Sequence, residues 1–166
     1  NEFGEKTNGF ISNLQFGKVS GNWQYEFEHN LQDDTFDKND LGFQRRNNFS
    51  NFEGEISYRI FEPTKKFNEY RITLSTDLEY LYKPNTYTGN SLRLNYFFMT
   101  KKSQTAFWGN VQGSFGNQFD YYEPRIEGRY FKQNSRIASY QFISTNYSKK
   151  FAIDASMFFS NRINDD

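Results

Sequence analysis

Along YRITLSTDLEYLYK, Tyr70 to Lys83, the residues Tyr70, Ile72, Leu74, Leu78, Tyr80 and Tyr82 fall on one parity, with Thr76 among them. Arg71, Thr73, Ser75, Asp77 and Glu79 fall on the other. A period of two sends successive side chains to opposite faces of a strand, so this stretch predicts a long strand with one apolar and one charged face. Similar alternation predicts strands at Gly9–Lys18 (Phe10, Leu14, Phe16), Asn22–His29 (Trp23, Tyr25, Phe27) and Asn47–Phe61 (Phe52, Ile56, Tyr58, Ile60). Further strands are expected at Ser91–Lys101, Thr105–Gly116, Ser135–Tyr147 and Lys150–Ser160, which makes eight in four hairpins.

The gaps between strands carry a second pattern. Ser20-Gly21, EPTKK, KSQ and Ser148-Lys149 are compact turns, whereas Asn30–Arg46 and Asn117–Asn134 are long polar segments, with PNTYTGN (Pro84–Asn90) between these lengths. Tight turns at one rim and extended loops at the other, joining long strands, are the pattern of a transmembrane barrel. The expectation is therefore an all-β transmembrane antiparallel barrel, or an internal segment of a larger one, spanning residues 1–166. Short turns would lie on the periplasmic side and long loops outside. A soluble sandwich or a small calyx also alternates and stays as the competing architecture.

Composition sharpens this picture. The chain carries 20 Phe and 12 Tyr although only 36% of its residues are hydrophobic, which suits strands whose alternate residues meet something apolar. No apolar run is long enough for a membrane-spanning helix. There is no signal-peptide pattern at the N-terminus, and a start at Asn1 rather than Met fits a mature or partial product. Twenty basic and twenty acidic residues cancel, which argues against a nucleic-acid partner. The absence of cysteine excludes thiol catalysis and cysteine metal sites.

Three segments resemble a known family. DKNDLGFQRRNNF (Asp37–Phe49), YEPRIEGRYF (Tyr122–Phe131) and STNYSKKFAID (Ser144–Asp154) are similar to recurring segments of a Bacteroidetes outer-membrane barrel family of unknown function, DUF5916. The resemblance covers roughly Asn1 to Ser160. It implies a bacterial outer-membrane location and a barrel of more than eight strands, of which this chain would be a part. Family members usually carry an N-terminal domain resembling family 9 carbohydrate-binding modules, and that domain is not within these residues. No catalytic residue transfers from the family.

Few side chains point to chemistry. Glu123, Arg125, Glu127 and Arg129, flanked by Tyr121, Tyr122, Tyr130 and Phe131, form the densest charge cluster. It fits a loop held by Glu–Arg pairing on the rim, a constriction of a lumen, or a carbohydrate contact. Glu53 with Glu55, and Asp77 with Glu79, share a face without the convergence a glycosidase pair requires. Asp33, Asp34, Asp37 and Asp40 supply carboxylates but not calcium-loop spacing. His29, the only histidine, is expected at a strand end without an imidazole partner, which argues against a zinc centre or a triad. Gly109 and Gly113 are expected to permit curvature or close packing.

The functional expectation is a channel or transport-related barrel with a polar lumen lined by Arg59, Arg71, Asp77, Glu79 and Arg93. Outer-membrane lipid is the expected partner, with other outer-membrane or periplasmic proteins beside it. Two alternatives remain: a structural or assembly-partner barrel, and a soluble carbohydrate-binding or hydrolytic β-domain. No catalytic, cofactor-binding or metal-binding residue is assigned, no cofactor is implied, and the chain is not expected to be an enzyme.

Overall fold

The computed structural model describes residues 8–36 and 46–163. Ten strands are present: β1 (Ile11–Lys18), β2 (Trp23–Gln32), β3 (Phe49–Arg59), β4 (Phe67–Tyr80), β5 (Tyr87–Thr100), β6 (Ala106–Ser114), β7 (Gln118–Asp120), β8 (Phe131–Gln133), β9 (Arg136–Ser144) and β10 (Asp154–Arg162). Eight of them form one sheet in the order β1-β2-β3-β4-β5-β6-β9-β10, each antiparallel to its neighbour. The remaining two, β7 and β8, pair as a small arm between β6 and β9.

The alternation seen in the sequence becomes two faces. Cross-strand register aligns Phe16 with Phe27, Ile56 with Leu74, Leu74 with Leu94, and Leu94 with Val111. The opposite face aligns Glu28 with Glu53, Glu53 with Asp77, and Asp77 with Ser91. Aromatic pairs run between neighbouring strands on the apolar side, such as Trp23 with Tyr58 at 4.9 Å and Tyr70 with Phe98 at 5.0 Å between ring centroids. Such lateral pairs are the unit of sheet stabilisation here, because burial is sparse. Among the described residues the buried apolar set is Leu81, Ala106 and Ala138.

The polar face is not uniformly polar. Phe97, Trp108 and Phe142 occupy it on three successive strands. Trp108 stacks on Phe142 at 3.9 Å, and Phe97 lies beside Trp108. β6 meets β9 closely. A Cβ built on Gly109 would stand 2.4 Å from the Tyr140 carbonyl oxygen and 2.8 Å from Gln141 Oε1, so the expected close approach is present.

The expected barrel is not what the chain forms. β1 and β10 are the two free edges of an open sheet, and every residue of both strands is exposed. Hydrocarbon tolerates strands only where each backbone donor and acceptor has a partner, which a sheet achieves by closing. The open edges overturn the transmembrane-barrel architecture, and with it the lipid partner and the outer-membrane location inferred from it. A channel falls for the same reason, since a lumen needs a wall around it. No helix among the described residues is long and apolar enough to cross a membrane.

Several boundaries moved, those of the last strand among them, which runs from Asp154 to Arg162. The fourth strand begins earlier, at Phe67, and ends at Tyr80, leaving Tyr82 outside it. The fifth begins at Tyr87 because the preceding connection is a tight turn, closed by Leu81 N–H donating to the Thr86 carbonyl at 2.8 Å with Asn85 at φ 64°. The second long segment, read as loop throughout, contains β7 and β8.

Candidate functional site

The connections opposite the compact turns are tied to one another. Asp33 closes the end of β2. Its Oδ2 accepts from Thr35 Oγ1 at 3.0 Å and its Oδ1 from the Phe36 amide at 2.6 Å. Burial raises the proton affinity of this carboxyl, but those hydrogen bonds outweigh it and hold the pKa below the ordinary value. Asp34 forms a salt bridge with Lys83 at 3.3 Å. Asn48, at φ 59°, donates through Nδ2 to the Lys83 carbonyl and accepts the Lys83 amide at Oδ1, each at 2.8 Å. Of the four aspartates in the first long segment, the two that are described, Asp33 and Asp34, thus have structural work. Asp37 and Asp40 lie outside the described residues.

The β7–β8 arm folds back over the polar face. Asn90 fixes the chain leaving β6, donating to the Phe115 carbonyl at 2.7 Å and accepting the Phe115 amide at 2.9 Å. Gln118 then accepts the Asn90 amide at 2.7 Å, and the missing side chain of Gly89 makes room for it. Phe119 meets Tyr87 and Tyr130 edge-on, and Tyr121 packs on Tyr130. Beyond the arm, Tyr122 donates its hydroxyl toward the Asn47 and Asn48 carbonyls, both at 3.2 Å. Burial pushes the Tyr122 phenol up; Glu79 and Asp120 add to this and Arg46 opposes it. The Arg46 guanidinium sits 5.4 Å from the Tyr122 ring centre.

Between this arm and the sheet lies a cleft of about 1200 Å³. Its floor is formed by the ends of β4, β5, β6, β9 and β10, through Glu79, Asn90, Ser114, Arg136 and Arg162. Its far wall carries Phe119, Tyr122, Glu123, Arg125 and Lys132. Arg136 and Arg162 are directly opposite each other across β9 and β10. Arg136 Nε donates to Ser160 Oγ at 3.2 Å, and among the described residues no carboxylate pairs with either arginine. Like charges opposed across a ladder repel, so among the described residues this corner of the cleft holds positive charge without a carboxylate partner. Asp120 on the wall is already occupied, its Oδ1 accepting the amides of Tyr122 at 2.9 Å and Glu123 at 3.1 Å.

The sequence-derived candidates scatter. Of the charge cluster, Glu123 and Arg125 line the cleft, and Glu127 and Arg129 do not. The Glu–Arg pairing expected to hold that loop is absent among the described residues. Backbone turns hold it instead, with Arg125 at φ 53° and Gly128 at φ 74°. Of the five expected lumen side chains only Glu79 reaches the cleft. Arg59 and Arg71 are opposed at the other end of the sheet, Arg59 lying 4.2 Å from the Phe61 ring centre. Arg93 donates to Gln112 at 3.1 Å. His29 is inside β2 rather than at its end. It stacks on Phe52 at 4.4 Å and its Nε2 contacts Ser50 Oγ at 2.9 Å.

Register creates one grouping invisible to spacing: Glu28, Glu53 and Asp77 stand side by side on three strands. Burial and the neighbouring Asp77, Glu28 and Glu79 charges raise the Glu53 pKa. No group of three or more His, Asp or Glu side chains suited to a metal ion occurs among the described residues. Arg136 and Arg162 were missed because the last strand was expected to stop at Ser160. The usable signal was an arginine at the start of one predicted strand and a second just past the end of its hairpin partner.

The family described as "Domain of unknown function (DUF5916)" matches residues 1–166. The chain belongs to this family. No curated protein and no solved structure matches it. Membership in DUF5916 accounts for the three recurring segments noted above. Two of them meet the site: YEPRIEGRYF supplies Tyr122, Glu123 and Arg125 to the cleft wall, and the described end of DKNDLGFQRRNNF supplies Arg46.

Proposed function

We propose that this DUF5916 chain is a non-catalytic carbohydrate-binding β-domain whose cleft takes an acidic oligosaccharide. One observation carries the reading: Arg136 and Arg162 face each other at the cleft floor, and among the described residues no carboxylate pairs with either. A uronate or sulfate group placed between them would accept charge-assisted hydrogen bonds from both guanidinium forks and relieve their repulsion. Lys132 and Arg125 add positive charge from the arm, and with Arg46, Arg136 and Arg162 the five cations lining the cleft outnumber the three carboxylates of Glu79, Asp120 and Glu123. Gln118, Gln133, Asn90 and Ser114 offer amides and a hydroxyl suited to sugar hydroxyls, and the Phe119 and Tyr122 rings supply apolar surface.

Turnover is not part of this reading. Asp120 is committed to two backbone amides, and neither Glu79 nor Glu123 has an acid–base partner assigned by the geometry. The test is calorimetric titration with oligouronates and with neutral oligosaccharides of equal length. Acidic ligands should bind in a salt-sensitive manner, neutral ones should bind at least about tenfold more weakly, and Arg136→Ala or Arg162→Ala should remove that preference. Equal binding of both ligand classes, or an unchanged preference in the variants, would overturn it.

A further inference from the structure

We propose that the compact-turn end of the polar face holds a second ligand site, which takes a small aryl carboxylate or sulfonate. The site is separate from the cleft and does not depend on it. Register builds it. One row across β3, β4, β5, β6 and β9 reads Arg59, Arg71, Phe97, Trp108 and Phe142, each residue directly opposite the next. Two opposed cations thus run straight into three aromatic rings. A cavity of about 280 Å³ lies at the charged end of this row, lined by both arginines with Asn68 and Glu69 among its other residues. All of its lining residues are described. Like charges opposed across a ladder repel, and among the described residues no carboxylate pairs with either arginine. Glu69, exposed at the cavity wall, can offset only one of the two charges. The pairing of β4 with β5 is irregular between Phe67 and Glu69, a local kink of the kind that re-aims a side chain. Asn68 at that point lines the cavity and brings an amide able to donate to an anion.

The aromatic end selects the body of the ligand. Trp108 stacks on Phe142 with 29° between their planes, and Phe97 lies 6.4 Å from Trp108 at 30°. Rings stacked face to face along the row turn their edges outward, and all three are only half-buried. A ring edge carries the positive part of the aromatic quadrupole and attracts the negative face of another ring. A flat aryl body laid over these edges is the complement. Neighbouring strands are about 4.8 Å apart, so about 10 Å separates the middle of the arginine pair from the middle of the Phe97–Trp108 pair. A fused two-ring acid and the long arginine side chains bridge that distance together. Each simpler occupant serves only part of the row. A neutral arene leaves the guanidinium groups repelling each other, and an inorganic anion leaves the rings in water. An acid group on an aryl body accepts charge-assisted hydrogen bonds from the arginines and covers the rings as well.

Titration of the 166-residue chain with 2-naphthalenesulfonate, 2-naphthalenemethanol and sodium sulfate tests the site, read by nuclear magnetic resonance at the indole N–H signals of Trp108 and Trp23. Trp23, on the apolar face, is the control, and Trp23→Phe identifies its signal. The Trp108 signal should move saturably with the sulfonate while that of Trp23 stays. The alcohol should bind at least about tenfold more weakly, and sulfate alone should leave Trp108 unmoved. Combining Arg59→Gln with Arg71→Gln should lower the sulfonate to the affinity of the alcohol while far-ultraviolet circular dichroism stays unchanged. Arg136→Ala, on the cleft floor, should leave the preference intact. The absence of a saturable Trp108 shift, equal affinity for sulfonate and alcohol, or a Trp108 shift with sulfate alone overturns the proposal. So does a Trp23 signal moving in step with Trp108, which would mark general adsorption to apolar surface. A preference that survives the double arginine variant, or is lost in Arg136→Ala, overturns it too.

Discussion

Replacing Glu53 by glutamine should stabilise the sheet at neutral pH. Glu53 is half-buried and stands directly between Glu28 on β2 and Asp77 on β4. Like charges directly opposed across a ladder cost a few tenths to about 1 kcal/mol per pair. Part of that repulsion is already drawn off. Glu28 accepts from Asn13 and Asn30, both at 2.7 Å, and Asp77 accepts from the Ser91 hydroxyl. The expected gain for Glu53→Gln is therefore about 0.5–1 kcal/mol. With a urea m-value of about 2 kcal/mol/M, this moves the midpoint upward by about 0.3–0.5 M.

The pH dependence gives the sign. Burial first, and then Asp77 and Glu28, raise the folded-state pKa of Glu53 above the ordinary glutamate value of 4.5. Between the ordinary and the raised value the folded chain binds more proton than the unfolded chain, so this group's contribution to stability falls as pH rises through that window. Its cost is fully present above the raised pKa and vanishes below the ordinary one. The advantage of Glu53→Gln should accordingly be seen at neutral pH and disappear in mildly acid buffer. Urea melts of both proteins across that range provide the assay. A glutamine variant less stable than the parent at neutral pH, or an advantage that persists unchanged in acid, would refute the account of the carboxylate row.

Three further substitutions probe the close contacts and the turn. Gly109→Ala should destabilise by about 1–2 kcal/mol, since crowding costs about 1–3 kcal/mol and a less flexible unfolded chain returns part of it. Gly54→Ala, whose new Cβ would meet Thr76 at an ordinary 3.4 Å, should stay within about 0.5 kcal/mol of the parent in the same melts. Asn48→Ala removes both hydrogen bonds to the Lys83 main chain and leaves a side chain less suited to φ 59°, a loss of about 2–3 kcal/mol. Hydrogen exchange should show the Lys83 amide losing protection while β3 and β4 amides keep theirs.

The amino-acid sequence by itself determined the eight strands of the main sheet, their two faces and the turn at Ser20-Gly21, because period-two alternation and turn chemistry are local properties read over a few residues. Tyr70 to Tyr80 shows this directly: its apolar and charged parities are the two faces of β4. The compact turn expected at Ser148-Lys149 is instead a longer connection over residues 145–153. Whether the first and last strands meet is a global property of strand number, twist and stagger, and only the tertiary structure decided that β1 and β10 stay apart. Cross-strand neighbours belong to the same class. Glu53 lies beside Glu28 and Asp77, and Arg136 beside Arg162, through registers that no spacing along the chain encodes. The cleft required a further step, the folding of the β7–β8 arm onto β5. That step rests on Gln118 reaching the Asn90 amide over a glycine, a contact between residues 28 apart, and nothing local to either residue announces it.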